Sequence, residues 1–257
     1  SFPTRRSSDL FRLAAWGIGI RTPCAARVLC IGFLGGFAPA ASAAAQAVRT
    51  GQLTAEEADA LLPACICSGP SFVVLTVGQS LLGSAELGVL LFASQITANY
   101  LTAALLNRFA GVRSVKPGSA APASPAPPRL DEILADAAIT YCKLCGFILF
   151  FRMLAAGAGA LLPAGVGTLC SILLEVCSGC DLASRTGRWG SLLCCAALSV
   201  QGLSVLLQVR TICPPEMTLR PLYRARMLHL PLSLALFYLL LPGGEADVFS
   251  TLPARVL

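Results

Sequence analysis

Charged residues, histidine and aromatic side chains are all scarce in this chain of 257 residues. Only 12% of the residues are charged, about half the share found in soluble domains, which argues against an ordinary water-soluble protein. His229 is the only histidine, and structural zinc sites usually need supporting histidines, so no metal site is predicted. With 7% aromatic residues, helices are expected to pack closely through small residues rather than through large rings.

Enzyme motifs are also missing. The sequence contains no GxSxG, no HExxH, no P-loop and no convincing nucleophile–base pair, so we expect no enzyme activity, no catalytic residue and no cofactor. The net charge of +6 does not indicate nucleic-acid binding, because the basic residues lie between apolar segments and form no patch. They are typical of membrane-topology determinants.

The twelve cysteines are the feature most open to a metal or disulfide interpretation. Cys142 and Cys145 have CxxC spacing, and so do Cys177 and Cys180. Most of the cysteines nevertheless lie inside apolar runs, where a thiol acts as a small hydrophobic group. We therefore expect reduced, structural cysteines.

Apolar segments follow one another along most of the chain, whose mean hydropathy is +0.74. They cover roughly 24–46, 63–83, 86–109, 137–162, 164–181, 191–213 and 225–241. A membrane-spanning helix needs about 20 apolar residues; the third and fourth segments satisfy this comfortably. The last segment, at 225–241, is acceptable as a span but contains Pro231, which would kink it. The others are interrupted at GGFAPAAS, CSGPS, EVCSGC and VQGLSV. The predicted fold is an all-α polytopic membrane protein with broken or re-entrant helices.

Two basic regions compete to define the cytoplasmic side. The Pro/Ala/Ser-rich linker at 111–131 is basic, and together with Arg108 it favours a cytoplasmic position. The competing cluster comprises Arg210, Arg220, Arg224 and Arg226. A cleaved secretory signal is the alternative interpretation of the first apolar segment, because Arg21 and Arg27 precede it and A-x-A sites follow; the membrane-like composition up to residue 241 argues against it.

The two halves of the chain repeat one pattern of breaks. Aligning Gly69 with Gly202 gives an offset of 133 residues, and aligning Gly36 with Gly179 gives 143. The polar insert RTGQLTAEEADAL accounts for the difference; its Thr54 and Glu57 form a capping box, and its acidic face is expected to be solvated. Paired broken segments point to a transporter-type site between two repeats. Two unrelated glycine-rich hairpins are the alternative.

Glu175 is the carboxylate that lies inside a strongly apolar stretch, SILLEVCSGC. An acid at membrane depth is a candidate ion, proton or substrate site, and a water-edge position in a re-entrant loop is the alternative. The breaks Ser68-Gly69-Pro70 and Gln201-Gly202-Leu203 would expose backbone groups that can bind a solute. Neutral polar residues such as Gln95 and Asn99 are expected mainly to join helices.

The run RTGQLTAEEADALLPACICSGPSFVVLTVGQSLLGSAELG resembles the first half of the YlbJ-type sporulation integral membrane proteins, which belong to the nucleoside-recognition or "Gate" domain group. LLEVCSGC and QGLSVLLQV are similar to stretches in the second half of that family. The chain departs from the pattern at 38–42, where a basic residue is lost, and at Gln201, where glycine is common. From the breaks and the resemblance together we predict a substrate or ion site at Gly36, Phe37, Ser68, Gly69, Pro70, Glu175, Ser178, Gly179, Gln201, Gly202, Ser204 and Gln208.

The resemblance implies a sporulation membrane protein of the bacterial cell membrane, transporter-like, with a small solute or ion bound between two Gate-like repeats. A non-transporting scaffold for spore envelope assembly is the alternative. The expected partners are the lipid bilayer, an unidentified small solute or ion, and either further copies of the chain or other sporulation membrane proteins. The expected organisation is a first repeat at 11–110, the linker at 111–131, a second repeat at 132–245 and a tail at 246–257.

The first ten residues, SFPTRRSSDL, match one translated frame of a common short-read sequencing adapter when they are back-translated. Family members are also longer at the N-terminus by several helices. We therefore expect residues 1–10 to be an assembly artefact joined to an N-terminally truncated fragment, rather than the start of a signal or a cytoplasmic tail.

Overall fold

The structure is a computed structural model that describes residues 5–111 and 130–241. Within these ranges every regular element is helical, and the predicted all-α fold is confirmed. Most of the predicted linker and the predicted tail at 246–257 lie outside the described residues. The second half begins slightly earlier than expected, because its first helix already starts at Leu130.

The described part of the chain contains eleven α-helices, one π-helical segment, π1, and a short 3-10 turn at Gly187–Trp189. The first half comprises α1 (Arg5–Gly17), α2 (Pro23–Gly35), α3 (Phe37–Arg49), α4 (Ala55–Cys65), π1 (Ser71–Leu81) and α5 (Ala85–Ala110). The second half comprises α6 (Leu130–Leu161), α7 (Ala164–Leu174), α8 (Val176–Ser184), α9 (Gly190–Val200), α10 (Gly202–Ile212) and α11 (Arg220–Leu240).

Three helical runs in the described ranges are long and apolar enough to cross a membrane, at Ala85–Ala110, Ala137–Leu161 and Gly187–Ile212. The protein is accordingly an all-α polytopic membrane protein. The second of these runs, in α6, leaves large apolar side chains such as Phe150 and Met153 exposed, which suits a helix that faces lipid. The predicted span in α11 is not one of the three; that helix carries three arginines and a histidine among its apolar residues.

All four predicted interruptions of the apolar segments are present. Gly36, with a φ of +83°, separates α2 from α3, and residues 66–70 separate α4 from π1. Glu175 separates α7 from α8. Gln201, with a φ of +65°, separates α9 from α10, whose first residue, Gly202, has a φ of +67°. Gly179, which the sequence comparison paired with Gly36, is not at a break but lies inside α8.

The polar insert begins α4 as predicted. The Glu57 amide donates to Thr54 Oγ1 over 3.1 Å, and the Thr54 amide donates to Glu57 Oε2 over 3.2 Å, which completes the capping box. The expectation of a solvated acidic face holds for Glu56, which is exposed, but was wrong for Glu57 and Asp59, which are buried. The Asp59 carboxylate accepts hydrogen bonds from the amides of Thr218 and Leu219, over 2.8 Å and 3.2 Å, at the start of α11.

Small residues set the closest helix crossings. A Cβ built on Gly78 of π1 would lie 2.4 Å from the Cα of Gly88 of α5, so neither position accommodates a side chain without a shift of backbone. In the second half, a Cβ on Gly179 would lie 2.8 Å from the Cα of Ile172, where α8 packs on α7. Glycine at these three positions therefore permits the close packing of helices that the composition predicted.

The two halves interlock rather than standing side by side. Helix α11 of the second half contacts α4 and α5 of the first, and α5 contacts α9 of the second. The short helices exchange contacts in the same way, since α10 packs against α3 and α8 against π1. Helices that begin or end at the breaks of one half therefore contact helices of the other half.

Candidate functional site

The two breaks of the first half lie against each other. A Cβ built on Gly36 would lie 2.9 Å from the Gly69 amide nitrogen and 3.3 Å from the Cys67 carbonyl oxygen. Because Gly36 also has a positive φ, both its conformation and its surroundings require glycine. Phe37 is half-buried as the first residue of α3, and Pro70 precedes π1.

The two breaks of the second half meet in the same manner. A Cβ on Gly202 would lie 3.0 Å from the Glu175 amide nitrogen and from the Leu174 carbonyl group. The Glu175 carboxylate is buried and accepts hydrogen bonds from the amides of Cys177, over 2.9 Å, and Ser178, over 2.7 Å. A carboxylate at this position stabilises the positive end of α8, so Glu175 acts as the N-cap of that helix.

Gln201 joins the two pairs of breaks. Its Nε2 donates to Leu198 O over 2.7 Å and to Ser68 Oγ over 3.4 Å, although Ser68 is 133 residues away in sequence. Both side chains are buried, and Gln201 Oε1 has no hydrogen-bond partner. The predicted residues at the four breaks therefore form one connected region.

Two further predicted residues lie along α10. Gln208 Nε2 donates to Ser204 Oγ over 2.8 Å, one helical turn away. Both residues are buried, and Gln208 Oε1 also has no partner. The two amide oxygens without a partner therefore belong to Gln201, directly before Gly202 in the chain, and to Gln208, six residues after it.

A second polar cluster was not predicted as a site. Gln95 on α5 donates through Nε2 to Ser199 Oγ over 3.0 Å and to Cys195 O over 3.3 Å. The hydroxyl groups of Ser199 and Ser233 are hydrogen-bonded to each other, and His229 Nε2 donates to Gln95 O over 3.2 Å. This cluster ties α5 and α11 to the C-terminal end of α9, as expected for neutral polar residues that join helices.

Arg226 is the cation at the centre of that cluster. Its Nη2 donates to Ile66 O over 2.9 Å and to Asn99 Oδ1 over 3.1 Å, and its Nη1 donates to Ser199 O over 3.4 Å. The side chain is buried, and its Nε has no hydrogen-bond partner. In the sequence, Arg226 belongs to the basic cluster that is expected to act as a topology signal.

A signal for this residue was nevertheless present in the sequence. Arg226, His229 and Ser233 are spaced by three and four residues, which places them on one face of α11. An ionisable residue inside an apolar helix is by default a functional candidate.

The cysteines and acidic residues do not gather into a metal centre. Within the described ranges, no group of three or more His, Cys, Asp or Glu side chains could hold a metal ion. All twelve cysteines are free thiols. Burial raises the pKa of the Cys213 thiol, between α10 and α11, to about 12, so this thiol is protonated at neutral pH.

Comparisons with protein-family models, with curated proteins and with solved structures gave no match. The functional interpretation therefore depends on the residues of this chain. The strongest feature is the junction of the four breaks, where Ser68 and Gln201 meet.

Proposed function

We propose that this protein is a transporter-like membrane protein that holds a small polar solute or an ion where the four helix breaks meet. The observation that carries the proposal is the Gln201 side chain, which is buried at this junction with Oε1 unpartnered. An unsatisfied buried acceptor costs about 1–3 kcal/mol, and a ligand that donates a hydrogen bond would offset that cost.

The ends of the short helices add further groups that can bind a ligand. Helices α3 and α10 begin without a side-chain cap, and the first amides of a helix have no partner within the helix. A ligand at the junction could therefore accept hydrogen bonds from backbone amides and donate one to Gln201. This chemistry suits a small solute that carries both donors and acceptors.

A role in endospore formation in a bacterial cell membrane is proposed on the resemblance to the YlbJ-type proteins alone. The predicted pair of Gate-like repeats belongs to the same proposal. The reciprocal packing of α10 on α3 and of α8 on π1 supports it, because each half covers the breaks of the other.

The direct test is uptake of a panel of radiolabelled polar solutes into proteoliposomes that contain the protein. We expect uptake above that of empty liposomes for at least one solute, and a fall of about tenfold or more in Gln201→Leu, since a lost hydrogen bond and an apolar side chain at the site oppose binding. Gln79→Leu is the matched control, because Gln79 is exposed on π1. Equal uptake by both variants would refute this assignment of the site.

A complementation assay in a sporulating host tests the proposed biological role. Gly69→Leu should fail to restore spore formation, because Gly69 lies against the Gly35–Gly36 segment. Glu175→Ala should restore it only in part, since α8 loses its cap. Full complementation by both variants would contradict a role for the breaks.

The scaffold is the second candidate, and the Gln95–Ser199–Ser233 cluster favours it. These polar groups bond to one another and to helix ends, as in a closed bundle whose breaks serve packing. A scaffold predicts no uptake of any solute, together with a Gln201→Leu variant that complements as well as the wild type when it accumulates to the same level.

A further inference from the structure

The surroundings of Arg226 differ from those of an ordinary buried ion pair. Its three hydrogen-bond acceptors are the carbonyl oxygens of Ile66 and Ser199 and the carboxamide oxygen of Asn99, and all three are neutral. None of the three buried carboxylates in the described part of the chain bonds to it. Glu57 accepts hydrogen bonds from Thr22 and Thr54. Glu175 bonds to the start of α8, and Asp59 bonds to the start of α11.

We propose that the Arg226 guanidinium occupies a monovalent-cation site built from the C-terminal ends of α4 and α9, so that the protein carries its own cation there. Ile66 follows the last residue of α4, and Ser199 lies in the last turn of α9. Backbone carbonyls at the ends of broken helices, together with an amide oxygen, form the kind of oxygen set that coordinates alkali ions in membrane proteins.

The charge balance supports a resident cation and argues against an anion site. A helix C-terminus carries the equivalent of about −0.5 elementary charge, so two such ends offset about one positive charge. The guanidinium is therefore compensated without a carboxylate. An anionic solute beside Arg226 would meet two negative helix ends and only the two remaining N–H groups of the guanidinium, on Nε and Nη1.

The hydrogen bonds at the end of α9 show what the guanidinium completes. The Ala197 carbonyl accepts from the Gln201 amide, and the Leu198 carbonyl accepts from Gln201 Nε2. The Ser199 carbonyl accepts from Arg226. Without the guanidinium, the Ser199 carbonyl and Asn99 Oδ1 would lose this donor, and the space that the Arg226 side chain fills would be an internal cavity.

If the protein moves a solute, Arg226 makes sodium or potassium unnecessary at this position. That consequence rests on the proposed function, whereas the cation site itself does not.

The test is thermal unfolding of the purified protein in detergent, in choline chloride and then with sodium, potassium or guanidinium added at constant ionic strength. Arg226→Ala should melt at least about 5 °C below the wild type in choline. Millimolar guanidinium, or sodium, should raise its melting temperature with a saturable dependence on concentration. The wild type and Arg224→Ala, altered at an exposed position of the same helix, should not respond.

Two results would overturn the proposal. One is a folded Arg226→Ala that responds to none of the three cations; the other is saturable stabilisation of the wild type by sodium. If Arg226→Ala does not fold, Arg226→Lys and Arg226→Gln decide the question. Arg226→Lys keeps the positive charge and should melt well above Arg226→Gln. Equal melting temperatures of the two variants would show that the site does not require a cation. None of these readouts depends on transport, so their failure would leave the proposed function untouched.

Discussion

Gly202→Ala is expected to destabilise the protein strongly, because two separate costs coincide at this residue. Its φ of +67° is in the left-handed region, which costs a residue with a Cβ about 1–2 kcal/mol. The added Cβ would also lie 3.0 Å from backbone atoms of Leu174 and Glu175. These atoms cannot rotate away as a side chain can, and overpacking of this kind costs about 1–3 kcal/mol.

The sum, about 2–5 kcal/mol, corresponds to a fall of about 5–15 °C in melting temperature for a chain of this size. The protein contains its own reporter for the measurement. Cys194 and Cys195 are buried free thiols, so a thiol-reactive fluorogenic dye will label them when the helices separate. Detergent-solubilised wild type and variant can be heated side by side with this dye.

Gly157→Ala is the matched control. Gly157 lies in α6 with open space around its Cα, and alanine is favoured over glycine inside a helix by about 1 kcal/mol. This variant should melt at or slightly above the wild-type temperature. If Gly202→Ala melts within about 1 °C of the wild type, or if both variants lose stability equally, then position 202 does not require glycine.

Three further outcomes are expected from the buried acids and the thiols. Glu175→Ala should lower stability by about 1–3 kcal/mol in the same thermal assay, because two amides of α8 lose a charged acceptor; a melting temperature equal to that of the wild type would contradict the cap. Asp59→Ala should destabilise by a similar amount through the loss of its bonds to the start of α11, while Glu56→Ala, at an exposed position, should have little effect; equal losses would argue against the contact. In the folded protein, an apolar maleimide that enters the detergent micelle should label Cys142, on the exposed surface of the membrane-spanning run of α6, much faster than the buried Cys195. Mass spectrometry of the labelled peptides measures both rates, and faster labelling of Cys195 would contradict this packing.

The breaks could be predicted from the sequence because their causes are local. Glycine and proline interrupt an apolar run wherever they occur, and a positive φ at Gly36 is a property of that residue type. The capping box at Thr54 is equally local, since both partners lie within four residues. Composition, together with the lengths and interruptions of the apolar segments, was sufficient to predict the all-α membrane fold.

The partners of the buried charges could not be predicted in this way. Asp59 bonds to Thr218, 159 residues further along the chain, and Arg226 bonds to Ile66, 160 residues before it. No local pattern encodes such pairs. The sequence shows Asp59 in a polar insert and Arg226 among other arginines, and in both cases the local context suggested solvent or a membrane surface.

Donors that are distant in sequence satisfy the backbone carbonyls that the helix breaks leave without a partner. A carbonyl at the end of a broken helix needs a donor at membrane depth, where water does not supply one. For α9 a donor comes from Arg226 in its own half, and Gln95 of the first half binds the same helix end. For α4 the Ile66 carbonyl receives Asn99 from its own half and Arg226 from the other. Each half therefore completes the hydrogen bonding of the other, so the first half alone would leave Gln95 without its acceptors and Ile66 without its cation. The ends of α4 and α9 are therefore stabilised by donors from both halves.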